Sequence, residues 1–197
     1  MKKAGIVIAA LLCVALLCGG FYFAKKNVDS KAERNEELTK VQKIITRDLE
    51  SNYPATPREV VKFYNRIITG YYSGEYSDEE LDQLIDQALL LFDAQLAENN
   101  PKEDYKQAIL AEVSNYKKRS RTIRQSSVCD SSEVRFLTDD SNGDQLAYVS
   151  ASYFIKEDGQ YEKTYQMYVL RKDENGEWKI LTFYKIEGKT SEDEDDD

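Results

Sequence analysis

The order of hydrophobic periods along the chain predicts an α+β fold: an N-terminal transmembrane helix and a helical stalk, then three helices packed on a curved antiparallel meander sheet. Three observations carry that expectation. An uncharged run from Ala4 to Ala24 is bracketed by Lys2-Lys3 and Lys25-Lys26. Three helix start signals follow one another between Thr56 and Lys102. After about Arg124 the apolar residues stop recurring at helical spacing and begin to alternate, the two-residue period of a strand with one buried face. The layout expected is an anchor over 1–26, a stalk over 27–52, an α+β domain over 53–188 and an acidic tail over 189–197.

The run from Ala4 to Ala24 is the first element. At about 1.5 Å per residue a helix of this length spans roughly 30 Å, the thickness of a hydrocarbon core. A cleaved signal peptide is the competing reading, with Cys18 and Gly20 before the cut at Phe21. The anchor is preferred because Phe21-Tyr22-Phe23 sits where an interfacial aromatic belt would and the apolar run continues past the site. Leu16-Leu17 before Cys18 lacks the small residue that a lipid-modified cysteine wants. Orientation stays open. Counting Lys25, Lys26, Lys31, Arg34, Lys40 and Lys43 against Lys2 and Lys3 favours a cytoplasmic domain, whereas a short basic start before an apolar run and one long soluble domain suits a signal-anchor. The second is preferred, which places the domain outside the cytoplasm on a single-pass tether at the cell membrane.

From Asn27 to Asn52 a narrow stripe of Leu38, Val41, Ile44, Ile45 and Leu49 marks a helical spacer, with a coiled-coil homodimer seam as the alternative. The domain then opens at Thr56-Pro57-Arg58-Glu59, where Thr56 caps, Pro57 suits the first turn and Glu59 closes a capping box. Val60, Val61, Tyr64, Ile67, Ile68 and Tyr71 form its core stripe. Ser77-Asp78-Glu79-Glu80 starts a second helix with a buried face running from Leu81 to Leu96, and Asn100-Pro101-Lys102-Glu103 a third with Tyr105, Ile109, Leu110, Val113 and Tyr116. The strands are Val134/Phe136, then Ala147 to Ile155, then Tyr165/Met167/Val169, then Trp178 to Ile186. Asn142-Gly143, Asp158-Gly159 and Asn175-Gly176 supply the positive φ that tight hairpins need. Short connections make neighbours antiparallel, and the preceding helices are the only cover for one face of the sheet.

Three helices followed by a meander whose last strand opens with Asn175-Gly176-Glu177-Trp178-Lys179-Ile180 resemble the nuclear transport factor 2-like superfamily, over Tyr53 to Gly188. The tethered arrangement resembles uncharacterised membrane-anchored surface proteins of Gram-positive bacteria. The resemblance implies a cystatin-like cone with a pocket between sheet and helices, used by some relatives for catalysis and by others for binding alone. Enzymes of this group rely on an Asp/His or Tyr/His set. No histidine occurs here, so no catalytic residue is carried over.

Composition narrows the chemistry further. With 41% hydrophobic and 32% charged residues the chain suits a globular body. Its formal charge of −9 owes −6 to Glu192, Asp193, Glu194, Asp195, Asp196 and Asp197, leaving −3 for the rest, so the acidity is mostly a solubilising tail. Without histidine there is no imidazole base and no histidine metal ligand. Cys13 and Cys18 lie in the apolar run, and Cys129 in the soluble part has neither a disulfide partner nor an activating histidine. No cofactor and no metal site is expected.

The chain holds 14 tyrosines. Aromatics are good strand residues that fill sheet faces, and that account is preferred; should a pocket form, Tyr153, Tyr165, Met167, Trp178 and Tyr184 are the expected lining, suited to a small apolar or aromatic ligand. Lys117, Lys118, Arg119, Arg121 and Arg124 make a basic patch at a helix end, read first as a charged helix terminus and second as a surface for anionic lipid or wall polymer. No motif indicates specific nucleic-acid binding. The expected function is a non-enzymatic ligand- or protein-binding domain held at the membrane. An enzyme of the same fold using Tyr and carboxylate groups, and a structural subunit of an envelope complex, are the alternatives.

Overall fold

In a computed structural model of the chain, residues 38–187 are described, and the globular unit begins at Lys40. The apolar run 4–24, most of the expected stalk and the acidic tail lie outside the described residues. Among those described, no helix is long and apolar enough to cross a membrane. They form an α+β unit of five α-helices and a five-stranded antiparallel sheet.

α1 (Lys40–Ile45) is short, yet it belongs to the core: Val41, Ile44 and the following Leu49 are buried. Six residues do not make a stable helix alone. Packing holds it, and Gln87 Nε2 donates to Ile45 O at 3.3 Å and Arg47 O at 3.0 Å. The boundary of the globular unit, expected at Tyr53, therefore falls at Lys40; the stripe that suggested a spacer is a core face.

α2 (Pro57–Ser73) starts at Thr56, whose Oγ1 accepts the Glu59 N–H at 3.2 Å. Glu59 does not complete the expected capping box, because its carboxylate accepts from Ala55 N at 3.1 Å, one residue further back. α2 buries more than one stripe: Phe63 and Asn65 join Val60, Val61, Tyr64, Ile67 and Tyr71. It ends at Gly74, φ 65°. α3 (Asp78–Leu90) has the full box, Ser77 and Glu80 each receiving the other's backbone N–H, and Asp78, Glu79 and Glu80 complement its dipole. The second helix does not continue to Leu96. Phe92 leaves it to bridge in parallel to Ile180, with Asp93 N to Ile180 O at 2.9 Å and Ile180 N to Leu91 O at 2.8 Å. Asp93 then caps α4 (Ala94–Glu98). α5 (Lys102–Lys118) follows Pro101 without a side-chain cap.

The strands are β1 (Thr122–Val128), β2 (Arg135–Thr138), β3 (Gln145–Glu157), β4 (Gln160–Lys172) and β5 (Trp178–Ile186). β3, β4 and β5 run as the expected meander, while β1 and β2 both pair with β3 on its other edge, at opposite ends of it. The β3–β4 turn uses Asp158 at φ 47° and Gly159 at φ 85°, the two positive values of a type I′ hairpin. Register sorts the faces. Ala147, Val149, Ala151, Tyr153 and Ile155 of β3 stand beside Leu170, Tyr168, Gln166, Thr164 and Glu162 of β4, and this face meets the helices. The opposite face carries Tyr148, Ser150, Ser152 and Phe154 with Val169, Met167, Tyr165 and Lys163.

Candidate ligand groove

Between α2, α5 and the inner face of the sheet lies an open groove of about 430 Å³. Helical spacing builds one wall from Tyr64, Ile68, Tyr71 and Tyr72 of α2 and a second from Tyr105, Ile109, Glu112 and Tyr116 of α5. The sheet contributes Tyr153, Gln166 and Phe183 among others. The aromatic rings pack against one another: Tyr64 meets Tyr168 edge-on at 5.9 Å, and Tyr72 lies 4.2 Å from Tyr116. Such pairs add about 0.5–1.5 kcal/mol beyond their buried area.

The hydroxyls at the floor partner each other. Tyr64 and Tyr105 share a hydrogen bond of 3.2 Å, and Tyr71 donates to Leu84 O at 3.2 Å. Deeper, Tyr153 donates to Asn65 Oδ1 at 2.5 Å and lies 2.5 Å from the Tyr168 hydroxyl, which in turn reaches Gln166 Oε1 at 3.0 Å. Each hydroxyl carries a single proton. With the Tyr153 proton on Asn65, that of Tyr168 serves either Tyr153 or Gln166 but not both. Asn65, only 2% exposed, keeps its Nδ2 without a partner. Burial pushes the Tyr64, Tyr71 and Tyr168 phenols well above their ordinary value and Tyr153 up to about 12. Burial raises Tyr105 too, against hydrogen bonds from Tyr64 and Tyr71 that lower it. All these phenols are neutral near pH 7.

Charge is confined to the rim. Arg121 lies 5.0 Å over the Tyr116 ring and faces Glu157 at 3.3 Å and Glu162 at 3.2 Å. Its buried Nε is close to Glu157 without the alignment of a hydrogen bond. Glu112 and Glu162 on the groove wall are exposed. Among the described residues the buried polar side chains are Asn65 and Asp93, and Asp93 is bonded to Arg171 rather than to the groove. No desolvated carboxylate therefore faces the groove, and no group of three or more metal-ligating side chains is present among the described residues.

The five residues expected to line one pocket are divided. Tyr153 is on the groove floor. Trp178 stands on the same face at the far end, 5.7 Å from Phe136. Met167 and Tyr184 are register partners on the opposite face, where Tyr165 pairs with Ile186 while also bordering the groove. Alternation along a strand groups residues of one strand; it does not say which of the two sets meets the helices. The basic patch is divided as well. Arg119 donates to Glu157 at 2.6 Å, Arg121 is held as above, and Lys117 lies beside Gly74 at the C-terminal end of α2. Tyr64 and Tyr71 of α2 and Tyr105 and Tyr116 of α5 were legible as core stripes, whereas Tyr72 lay outside the expected stripe. Asn65, a polar residue inside an apolar stripe, was the one local sign of a hydrogen-bonded interior.

A family model described as a domain of unknown function (DUF6715) matches residues 1–183. The chain belongs to the DUF6715 family. No curated protein matches it. In this DUF6715 chain the match takes in the apolar run 4–24 together with all five helices and β1 to β4, and ends within β5 at Phe183. The DUF6715 description names no activity, so function is argued from the groove and the faces around it.

Proposed function

We propose that the protein is a membrane-tethered, non-enzymatic binding domain of the nuclear transport factor 2-like cone, facing outward from the cell membrane on the helix 4–24. The observation that carries the binding reading is the open groove, walled by tyrosine rings whose hydroxyls are neutral and engaged with one another. General acid–base catalysis needs a titratable group within reach of the reacting atom and poised near the working pH; the groove offers phenols raised far from neutrality and carboxylates that are exposed. Aromatic walls with a few polar groups suit a small ligand with an apolar or aromatic face. Support for the cone comes from a helical layer on one face of a meander and from two bulges, at Ile123/Gln125 and Val169/Leu170, which bend the strands that carry them. Support for the tether comes from the uncharged length of 4–24 and the lysine pairs that bracket it.

A protein partner is the second reading, favoured by the uncovered sheet face. Phe154 and Tyr161 stack there at 5.0 Å, and Tyr184 is 47% exposed beside Met167. The two readings separate with an Ile109→Trp reporter in the detergent-solubilised full chain. A saturable emission change with small aromatic or amphipathic compounds, lost in Tyr72→Ala, is expected for the groove. A silent reporter together with cross-linking through Tyr184→Cys to a protein partner would move the function to the outer face. For the tether, a reporter active only outside the cytoplasm is fused after Asp197; silence from it reverses the orientation.

A further inference from the structure

A second concavity, of about 440 Å³, opens between the α1–α2 connection and the outer side of α2. Its walls include Arg47, Lys62 and Arg66, with Glu59 as the one carboxylate lining it. Four arginines elsewhere, Arg58, Arg119, Arg121 and Arg171, each have a carboxylate within ion-pair distance, while Arg135 lies over the Tyr148 ring. Among the described residues Arg47, Lys62 and Arg66 have no carboxylate within ion-pair distance. Glu59 is itself committed to Ala55 N. Lys62 and Arg66 are four apart on one helix, a spacing at which like charges repel.

Arg47 is oriented in advance. Its guanidinium seats 4.6 Å over the Phe63 ring and one Nη donates to Asn52 O at 3.3 Å, which leaves further N–H groups for a ligand. A planar fork held over an aromatic ring, with two more cations lining the same concavity, suits an anion with several oxygens and more than one negative charge. A carboxylate offers two oxygens and one charge, enough for the fork alone, whereas a phosphate group has the oxygens and charge to engage the neighbouring cations as well. We propose that this groove binds a phosphate-bearing anion, through Arg47, Lys62 and Arg66, as a site separate from the tyrosine groove. The phosphate belongs either to a lipid headgroup or to a soluble phosphate ester.

The test uses the full chain in detergent micelles, with glycerol 1-phosphate and dihexanoyl phosphatidylglycerol as probes. Dihexanoyl phosphatidylcholine and sodium chloride at matched ionic strength are the controls. Titration calorimetry is expected to give saturable binding of glycerol 1-phosphate. The pair Lys62→Gln with Arg66→Gln should weaken that binding by about tenfold or more, as loss of charge-assisted contacts does, and make it less sensitive to salt. Both side chains are exposed, so the variant should keep the helical circular dichroism of the parent; Arg66→Lys should restore most of the affinity. Phosphatidylglycerol binding about tenfold tighter than glycerol 1-phosphate, a difference worth one decade of affinity, assigns the lipid headgroup. Equal affinities assign a soluble ester. Absence of saturable binding beyond the chloride control, or equal affinity in the folded Lys62→Gln, Arg66→Gln variant, overturns the proposal.

Discussion

Ser120 closes α5 in a left-handed conformation at φ 49°, with Arg121 N donating to Tyr116 O at 2.9 Å and Ser120 N to Lys117 O at 3.1 Å. These are the two bonds of a Schellman motif, whose left-handed residue is usually glycine. A side chain there costs about 1 kcal/mol, so Ser120→Gly should stabilise the protein by about 0.5–1 kcal/mol in urea denaturation. An unchanged or lower midpoint would show that the serine is not strained. Tyr153 makes a second prediction at this scale. Its folded pKa, about 12, lies above the ordinary 10.0 because burial disfavours the phenolate. The sign follows: the associated stability is fully present below pH 10 and is lost as pH rises through 12. Each such tyrosine contributes a slope of about 1.4 kcal/mol per pH unit over its window. Tyr64, Tyr71 and Tyr168 steepen the loss. Denaturation midpoints should be flat to pH 10 and then fall, while absorbance near 295 nm shows these phenols ionising only with unfolding; ordinary titration near 10 by all the tyrosines would contradict the buried network.

Among the elements, the segment between α3 and α4 is held on the edge of β5 by a charge cluster. Arg171 grips Asp93 twice, at 3.0 and 2.6 Å, and Asp144 once at 3.1 Å. Asp93 is 5% exposed. Arg171→Met leaves that carboxylate buried and uncompensated, so a loss of about 2–4 kcal/mol is expected, larger than for Asp144→Asn; equal small losses would mean that Asp93 is better solvated than its burial implies. Helices were legible because caps and a 3.6-residue stripe coincide, as at Ser77 and Glu80. β1 was not legible. A bulge between Ile123 and Gln125 shifts its phase, so the residues registered with the inward row of β3 are Ile123, Ser126 and Val128 rather than an alternating set. The break of the second helix at Leu90 was equally hidden, since Phe92 and Leu96 continue the apolar spacing and only pairing with Ile180 draws the chain out.

At the scale of the whole molecule, the core does not begin at Tyr53, where the domain was expected to open, but at Lys40. Val41, Ile44 and Leu49 are buried by α2 and α3. Burial of each side chain is worth about 1.5–3 kcal/mol, partly offset by the cost of ordering the segment. A chain starting at Leu38 should therefore fold cooperatively, and one starting at Tyr53 should be less stable by several kcal/mol or expose its core to hydrophobic dyes. Identical denaturation curves for the two would return residues 40–52 to the role of a spacer. The grooves also belong to this scale: one needs α2, α5 and four strands together, the other needs the turn after α1 laid against α2.

What the sequence by itself determined is the class of fold, the three long helices, the hairpin turns and the exclusion of imidazole chemistry, because each rests on local rules of period, capping and residue type. The tertiary structure alone decided which tyrosines meet. A strand's alternation defines two sets of residues but leaves the choice of inner set to whichever face the helices cover, and that choice put Tyr153 in the groove and Tyr184 on the opposite side. It likewise decided which cations are matched, since ion pairs such as Arg121 with Glu162 join residues far apart in the chain, whereas Lys62 and Arg66 find no carboxylate among the described residues.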